Sequence, residues 1–377
     1  MRQTYSFKIL YSILSVGIYT TAIAQLPEYW KDRTSKLGEV TIIKNPKKPF
    51  FKNDLFLLKE EIMISGNGTS VEESFSSVSD ISVDSGGRIY IGDPKSSEIK
   101  IFNNSGKFVR NFGRKGQGPG EFIRPMTLSF CDLTNELFIQ DRVRGLFFDS
   151  YGNYLRSIPL RINYEAIKLD ALGNMRGVIQ VREKNGEKEE LRIFDIDGNP
   201  EKLVAETPIK NQLNPFPPYM TWCIRRDGTI IEGYPETYEF CIHDHEGNVA
   251  KRIYKESDPI EVTDEWRQAY LKSRSRSNIS YRIPRYQPAY SSMFSDEKGW
   301  IFIGTLKKGS NPKQLVLDIF DENGYYLNEV SWPMGATMIK NEKLYSIQFD
   351  EEGYSIVRRF ALITKNDSTR LSTKGKY

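Results

Sequence analysis

One phrase recurs about six times along this chain of 377 residues, a Gly/Asp-type turn followed by an alternating apolar strand. It reads Asp84-Ser-Gly-Gly-Arg-Ile-Tyr-Ile-Gly-Asp93, then Asp132-Leu-Thr-Asn-Glu-Leu-Phe-Ile-Gln-Asp141 and Asp170-Ala-Leu-Gly-Asn-Met175. Later copies are Arg226-Asp-Gly-Thr-Ile-Ile231, Asp296-Glu-Lys-Gly-Trp-Ile-Phe-Ile-Gly304 and Lys340-Asn-Glu-Lys-Leu-Tyr345. A second phrase interleaves with it: Ile101-Phe-Asn-Asn-Ser-Gly106, Phe147-Phe-Asp-Ser-Tyr-Gly152, Ile193-Phe-Asp-Ile-Asp-Gly198, Ile242-His-Asp-His-Glu-Gly247 and Ile319-Phe-Asp-Glu-Asn-Gly324. Alternation with period two marks strands, and a Gly-bearing turn between two such runs marks a hairpin. Two hairpins per unit, at a spacing of roughly 40–50 residues, are the signature of a four-stranded propeller blade. The expected fold is all-β, a six-bladed β-propeller of four-stranded antiparallel blades.

The blades are expected at 76–113, 122–161, 163–206, 217–256, 286–332 and 333–364. The last has little chain left for a fourth strand, and a ring cannot end in an exposed edge. Residues 25–66 are the natural donor. They carry the strand-like runs Val40-Thr-Ile-Ile43, Leu55-Phe-Leu-Leu58 and Glu61-Ile-Met-Ile64, and the segment 40–64 is expected to close the ring on the last blade. Between blades four and five lies an insert at about 257–288. Within it Thr263-Asp-Glu-Trp-Arg-Gln-Ala-Tyr-Leu-Lys-Ser-Arg274 reads as a helix with Thr263 as N-cap and two acids in its first turn. Residues 365–377 form a polar tail.

The first 24 residues read as an export signal cleaved after Ala24. Arg2 and Lys8 form a basic start, 9–18 an apolar run, and Ala22-Ile-Ala24 a small-x-small cleavage site. The apolar run is too short for a membrane anchor, which needs about 20 residues, and no later stretch is long and apolar enough to span a bilayer. No cysteine follows the cleavage point, which argues against a lipid anchor there. A periplasmic or extracellular address is expected. Without the leader 51 basic residues face 49 acidic ones, a balance that argues against a dedicated polyanion binder, nucleic acid included. The cysteines are Cys131, Cys223 and Cys241. The last two fall on the first and third strands of one blade, near 10 Å apart given strand spacing of about 4.8 Å, beyond disulfide reach. All three are expected to be buried and reduced.

The stretch Phe112-Gly-Arg-Lys-Gly-Gln-Gly-Pro-Gly-Glu-Phe122, with Pro125, follows Ile99-Lys-Ile-Phe-Asn-Asn-Ser-Gly-Lys-Phe-Val-Arg110 at the first hand-over between blades. With the early Gly38-Glu-Val-Thr-Ile-Ile-Lys-Asn45 it resembles the NHL-repeat-like superfamily, and within it the six-bladed propellers exported by Bacteroidetes-type bacteria. The resemblance spans residues 37–364 and is strongest in the first two blades. It implies the fold far more than any activity. The glycines do not match a phosphate-binding P-loop, because no Gly-Lys-Ser/Thr follows and a strand rather than a helix comes next. They read as a tight crossing, with Arg114, Lys115 and Gln117 near the channel mouth.

Asp93 and Asp141 end the second strands of blades one and two, where NHL-type repeats commonly carry an Asp. They read either as ligand contacts on the same face or as caps of their own turns. His243 and His245 have metal-binding spacing, but His243 fills the slot of Phe102, Phe148, Phe194 and Phe320 and His245 sits in the next turn. No metal is therefore expected there. With two histidines in all, catalysis by a Ser-His or Cys-His pair is not supported. The enzymatic alternative is a Ca²⁺-dependent lactonase or hydrolase of the gluconolactonase type, for which Asp80 and Glu165 are the main inner-strand acids. The leading reading is a binding or scaffolding module, monomeric, without a cofactor, for a protein, peptide or glycan. Its expected face comprises Asp93, Arg114, Lys115, Gln117, Asp141, Arg274, Arg282, Arg285 and Tyr286, with Trp266, Tyr270, Tyr281 and Tyr290 supplying contact area. Tyr219 and Trp222 are expected to line the channel or its core.

Overall fold

The computed structural model describes residues 26–68, 70, 73–160, 164–184, 186–209, 214–216, 218–274, 281–309, 311 and 313–365. The export signal read over 1–24 and all but the first residue of the polar tail lie outside them. Both repeated phrases fold as the same capped turn. In the turn after Phe148, the Asp149 side chain accepts from the N–H groups of Tyr151 and Asn153 at 2.8 and 2.9 Å. Gly152 then takes φ +82°, a conformation that costs a residue with a Cβ. Asp84, Asp170 and Asp296 cap the turns of the first phrase in the same way. Local chemistry thus shapes these turns.

The described residues form six sheets. Blade one is Ile81–Val83, Ile89–Asp93, Glu98–Phe102 and Phe108–Phe112. Blade two is Pro125–Cys131, Glu136–Asp141, Arg144–Asp149 and Tyr154–Pro159, and blade three Tyr164–Leu169, Met175–Glu183, Gly186–Phe194 and Pro200–Pro208. Blade four is Thr221–Ile224, Ile230–Gly233, Glu239–His243 and Val249–Lys255; blade five is Ser292–Ser295, Ile301–Lys308, Gln314–Phe320 and Tyr326–Pro333. Blade six has Ala336–Lys340, Lys343–Phe349 and Ser355–Thr364 from the C-terminal end. Its fourth strand is Phe56–Ser65, antiparallel to Ser355–Thr364.

The N-terminal segment does not behave as one unit. Val40–Asn45, expected on the last blade, instead adds to blade four, parallel to Val249–Lys255, and carries Thr34–Leu37 on its outer side. Its end also reaches blade five. Asn45 accepts from Trp30 Nε1 at 2.8 Å and from the N–H of Tyr326 at 2.8 Å, and donates to the Gly324 carbonyl at 2.9 Å. Residues 46–55 then strap across blade five. Phe50 and Phe51 donate to the carbonyls of Tyr326 and Leu327, and Asn328 donates to Phe51 and Asn53 carbonyls while accepting from Leu55 N–H.

The core is divided. Each cleft between neighbouring blades holds its own apolar cluster, such as Tyr90, Ile99, Phe112, Leu128 and Phe148 between blades one and two. That between blades three and four is the smallest, with Val178, Leu191, Met220 and Ile230 buried. Strand direction alternates, so one end of the ring carries the blade crossings and the loops between second and third strands. The other end carries the capped turns.

Two outcomes test the strap. A chain lacking residues 25–66 is expected to lose its cooperative thermal transition, and a cooperative melt at the parent midpoint would refute the closure role. Asn328→Leu leaves three backbone groups without their partner and is expected to cost about 1–3 kcal/mol, read as a lower urea midpoint at unchanged slope.

Candidate functional site at the two mouths of the ring

On the crossing face, the Gly-rich stretch between blades one and two folds back on itself. Phe122 donates to the Arg114 carbonyl at 2.8 Å and Gly116 to the Phe122 carbonyl at 3.0 Å. A Cβ on Gly113 would stand 2.2 Å from the Phe122 ring, so the close approach requires glycine. Glu121 accepts from Gly118 N–H at 2.8 Å and Arg114 Nε at 2.9 Å, and these contacts hold its carboxyl below the usual range. Arg144 clamps the loop to blade two by donating to the carbonyls of Gln117 and Glu121 and to Asp141. Arg114, Lys115 and Gln117 are exposed.

Asp93 and Asp141 sit beneath this surface, 1% and 0% exposed. Asp93 accepts from the N–H groups of Ser76, Lys95 and Ser96. Asp141 accepts from those of Ile123 and Arg124. Each carboxylate therefore ties a blade crossing to the loop between second and third strands. Of the residues singled out here, these two are brought into the scaffold and the cationic ones to the surface.

The insert contains the expected helix, Asp264–Ser273, with Thr263 Oγ1 accepting from Trp266 N–H at 3.3 Å. None of its residues is buried. What holds it is a run of rings: Phe216 on Trp266 at 4.5 Å, Trp266 stacked on Tyr270 at 5.0 Å, and Tyr270 against Tyr281 at 5.4 Å. Phe216 belongs to the preceding crossing, so two crossings share one aromatic ledge. Arg274 lies 5.8 Å from the Tyr270 ring and Arg285 5.1 Å from that of Tyr286. Arg285 also meets Glu261 at 3.1 Å, and Arg282 is exposed. Tyr290 is not part of the ledge. It is fully buried between blades four and five, its hydroxyl donating to the Glu239 carbonyl. Trp222 packs beside the cluster between blades three and four, whereas Tyr219 is exposed.

At the opposite mouth the capped turns of blades two to five surround a cavity of about 730 Å³. Leu133 and Leu172 give it an apolar side, and Arg225, Arg226, Asp227, Glu297, Lys298 and Glu322 a charged one. Lys340 bridges Asp132 and Glu297, and Arg226 approaches Glu297 at 3.6 Å. Arg225 occupies the position that Asp84, Asp170 and Asp296 hold in other blades. Its Nη2 donates to the Glu322 carbonyl at 3.0 Å. Burial holds Arg225 and the neighbouring Lys251 below their ordinary ranges. This mouth was not legible from motifs; its one signal was the Arg in place of a capping Asp.

In the channel, Asp80 accepts from the N–H groups of Ile81 at 2.9 Å and Leu128 at 3.0 Å, and burial raises its pKa. Glu165 lies on the first strand of blade three. Cys131, Cys223 and Cys241 are free and buried. His243 and His245 do not converge: His245 is exposed in the turn, while His243 is buried with Nε2 3.0 Å from Glu232. Glu232 and the buried Cys241 join it, their ligand atoms and those of His243 all within 4.8 Å of one another. Reading the histidines alone missed this group, because Glu232 comes from the neighbouring strand, in register with Cys241.

Residues 68–206 match the profile of a family described as a six-bladed β-propeller. Among curated proteins none matches the chain. A solved protein of Bacteroides fragilis described as exported is similar over 86% of this chain and 100% of its own, at 14% identity and TM-score 0.53. A DUF4221 member from Bacteroides vulgatus is similar over 83% and 100%, at 11% identity and TM-score 0.51. Both likenesses concern the fold, and with the family match they bear out the six-bladed propeller read in the sequence. No described helix is long and apolar enough to cross a membrane.

The cavity rim yields a pH test. Burial pushes Asp321 up to about 6 from an ordinary 3.8. Below about pH 4 the carboxyl is protonated in folded and unfolded chains alike and costs nothing. Between there and about pH 6 the unfolded chain ionises first, so stability falls, and the penalty is complete above that range. Asp321→Asn retains an acceptor for the N–H groups of Asn323 and Tyr325. It is expected to melt above the parent near pH 7.5 and to match it near pH 4. A difference that does not change with pH would overturn this assignment.

Proposed function

We propose that this chain, a six-bladed propeller resembling those of Bacteroides, is an exported binding or scaffolding module that takes a protein, peptide or glycan partner on its crossing face. The observation that carries the proposal is the insert helix. A helix of this length usually draws its stability from an apolar face packed on a core, and this one buries none of its residues. Its aromatic ledge instead stays partly exposed, with exposed arginines around it. Rigid aromatic surface edged by arginine is the composition of interface hot spots, and guanidinium groups add planar recognition of carboxylates. Asp93 and Asp141 serve this reading as fixtures that hold the loops in one shape, and Arg114, Lys115 and Gln117 extend the surface across blades one and two.

Export is supported by the leader pattern of residues 1–24 and by the Bacteroides fragilis relative described as exported. The leading alternative, a calcium-dependent lactonase, asks for free carboxylates converging in the channel. Asp80 has both oxygens engaged by backbone N–H groups, which favours the binding reading.

The test is an array of acidic and neutral peptides and glycans probed with chain 25–377. Binders are expected. Arg274→Glu, Arg282→Glu, Arg285→Glu and Tyr286→Ala combined should weaken them at least about tenfold with the melting temperature nearly unchanged, since all four side chains are exposed. An array without binders, or binding indifferent to the four changes, would sink the proposal. Calcium binding accompanied by lactone hydrolysis would replace it with the enzymatic alternative.

A further inference from the structure

The second and third strands of blade four break the pattern of the ring at two facing positions. Ile230 pairs with His243 and Glu232 with Cys241. In blades one, two and five the position of Glu232 is held by Ile91, Ile139 and Ile303, opposite Lys100, Leu146 and Asp318 respectively. The position of His243 is held by Phe102, Phe148, Phe194 and Phe320, all buried. Blade four therefore places an imidazole and a carboxylate where its neighbours place apolar core. Burying polar groups costs stability unless they are partnered, and here the imidazole and the carboxylate meet each other at 3.0 Å.

The alternation of the strands turns the group toward blade three. Ile231 packs with residues of blade five, whereas Ile230 packs with Val178 and Leu191 of blade three. Glu232 and His243 share the side of Ile230. This is the cleft with the smallest apolar cluster, so the side chains that would fill it have given way to ligating ones. Nearby charge is already committed, since Arg252, opposite Cys241, is bound to Glu239 at 2.7 Å.

We infer that Glu232, Cys241 and His243 form a binding site for one zinc-class divalent cation that cross-links the second and third strands of blade four. One thiolate, one imidazole and one carboxylate are the donors that borderline-soft Zn²⁺ prefers over Ca²⁺ or Mg²⁺. Around such an ion, donor atoms stand roughly 3–4 Å apart. Nε2 and Oε1 already meet that at 3.0 Å, and the widest separation within the group, at most 4.8 Å, needs only side-chain adjustment. His243 Nδ1 lies 3.4 Å from the Gly247 carbonyl, the second contact that fixes a ligating imidazole. Three protein donors leave a fourth position open, and Glu232 is the least buried of the three.

The experiment uses chain 25–377 treated with chelator and titrated with Zn²⁺ alone by calorimetry, with Co²⁺ as an absorbing substitute. One ion per chain, a raised melting temperature and a thiolate-to-cobalt charge-transfer band are expected. The double variant Glu232→Ile, His243→Phe restores the residues of the other blades and should fold. It and Cys241→Ser should weaken the metal by at least about a hundredfold, the upper end of what loss of an outer partner does. His245→Ala should leave binding intact. No zinc binding by the parent, binding that survives the double variant or Cys241→Ser, or binding lost with His245→Ala would each overturn the site.

Discussion

Everything in this ring hangs on the pairing of Phe56–Ser65 with Ser355–Thr364. A propeller has no central core; each blade is stabilised by the apolar cleft it shares with its two neighbours, so any blade with a missing edge weakens two clefts. The chain solves this by sending its N-terminal part round three consecutive blades. Val40–Asn45 pairs with blade four, Asn45 and Asn328 tie the segment to blade five, and Phe56–Ser65 completes blade six. The contacts span the whole sequence, with Asn45 reaching a carbonyl 279 residues away. Loop closure of that length is slow to form, but once made it joins the two ends of the ring into one cooperative unit.

The six blades were legible because their information is local. An Asp that caps its own turn and a Gly that accepts positive φ act within five residues, and alternation within a strand reports burial directly. The helix at Asp264–Ser273 was legible for the same reason, through its N-cap. What escaped depends on residues far apart. Val40–Asn45 has the pattern of a strand for any open edge, and only its pairing with Val249–Lys255 and the contacts of Asn45 with Gly324 and Tyr326 of blade five place it between those blades. Tyr290 looks like its neighbours Tyr281 and Tyr286, yet a cleft between blades claims it and leaves them outside. The Glu232, Cys241 and His243 group needs cross-strand register, which spacing along one strand does not supply.

Acidic side chains near a channel invite a catalytic or metal reading, and here most of them serve the backbone. Asp84, Asp149, Asp170 and Asp296 cap turns, Asp93 and Asp141 pin crossings, and Asp80 joins the first strands of blades one and two. A carboxylate accepting two or three N–H bonds is well satisfied and has little left for a ligand. On the insert the side chains of Arg274, Arg282, Arg285 and Tyr286 are instead exposed at the surface.

In a repeat protein the common pattern describes the scaffold, and departures from it are where individual function has room to appear. These departures gather in blade four. It carries two extra strands, an arginine where other blades cap with Asp, the aromatic insert at its exit, and the ligating group inside its sheet. The extra strands help explain how the rest is tolerated. A blade that exchanges apolar side chains for Glu232 and His243 loses packing on its blade-three side. Added backbone pairing along Val249–Lys255 and the buried Trp30 on its outer flank return stability on the other. Blade four is thus the part of the ring where the fold is reinforced and the repeat is broken at once, a combination expected where chemistry, rather than packing, chose the residues.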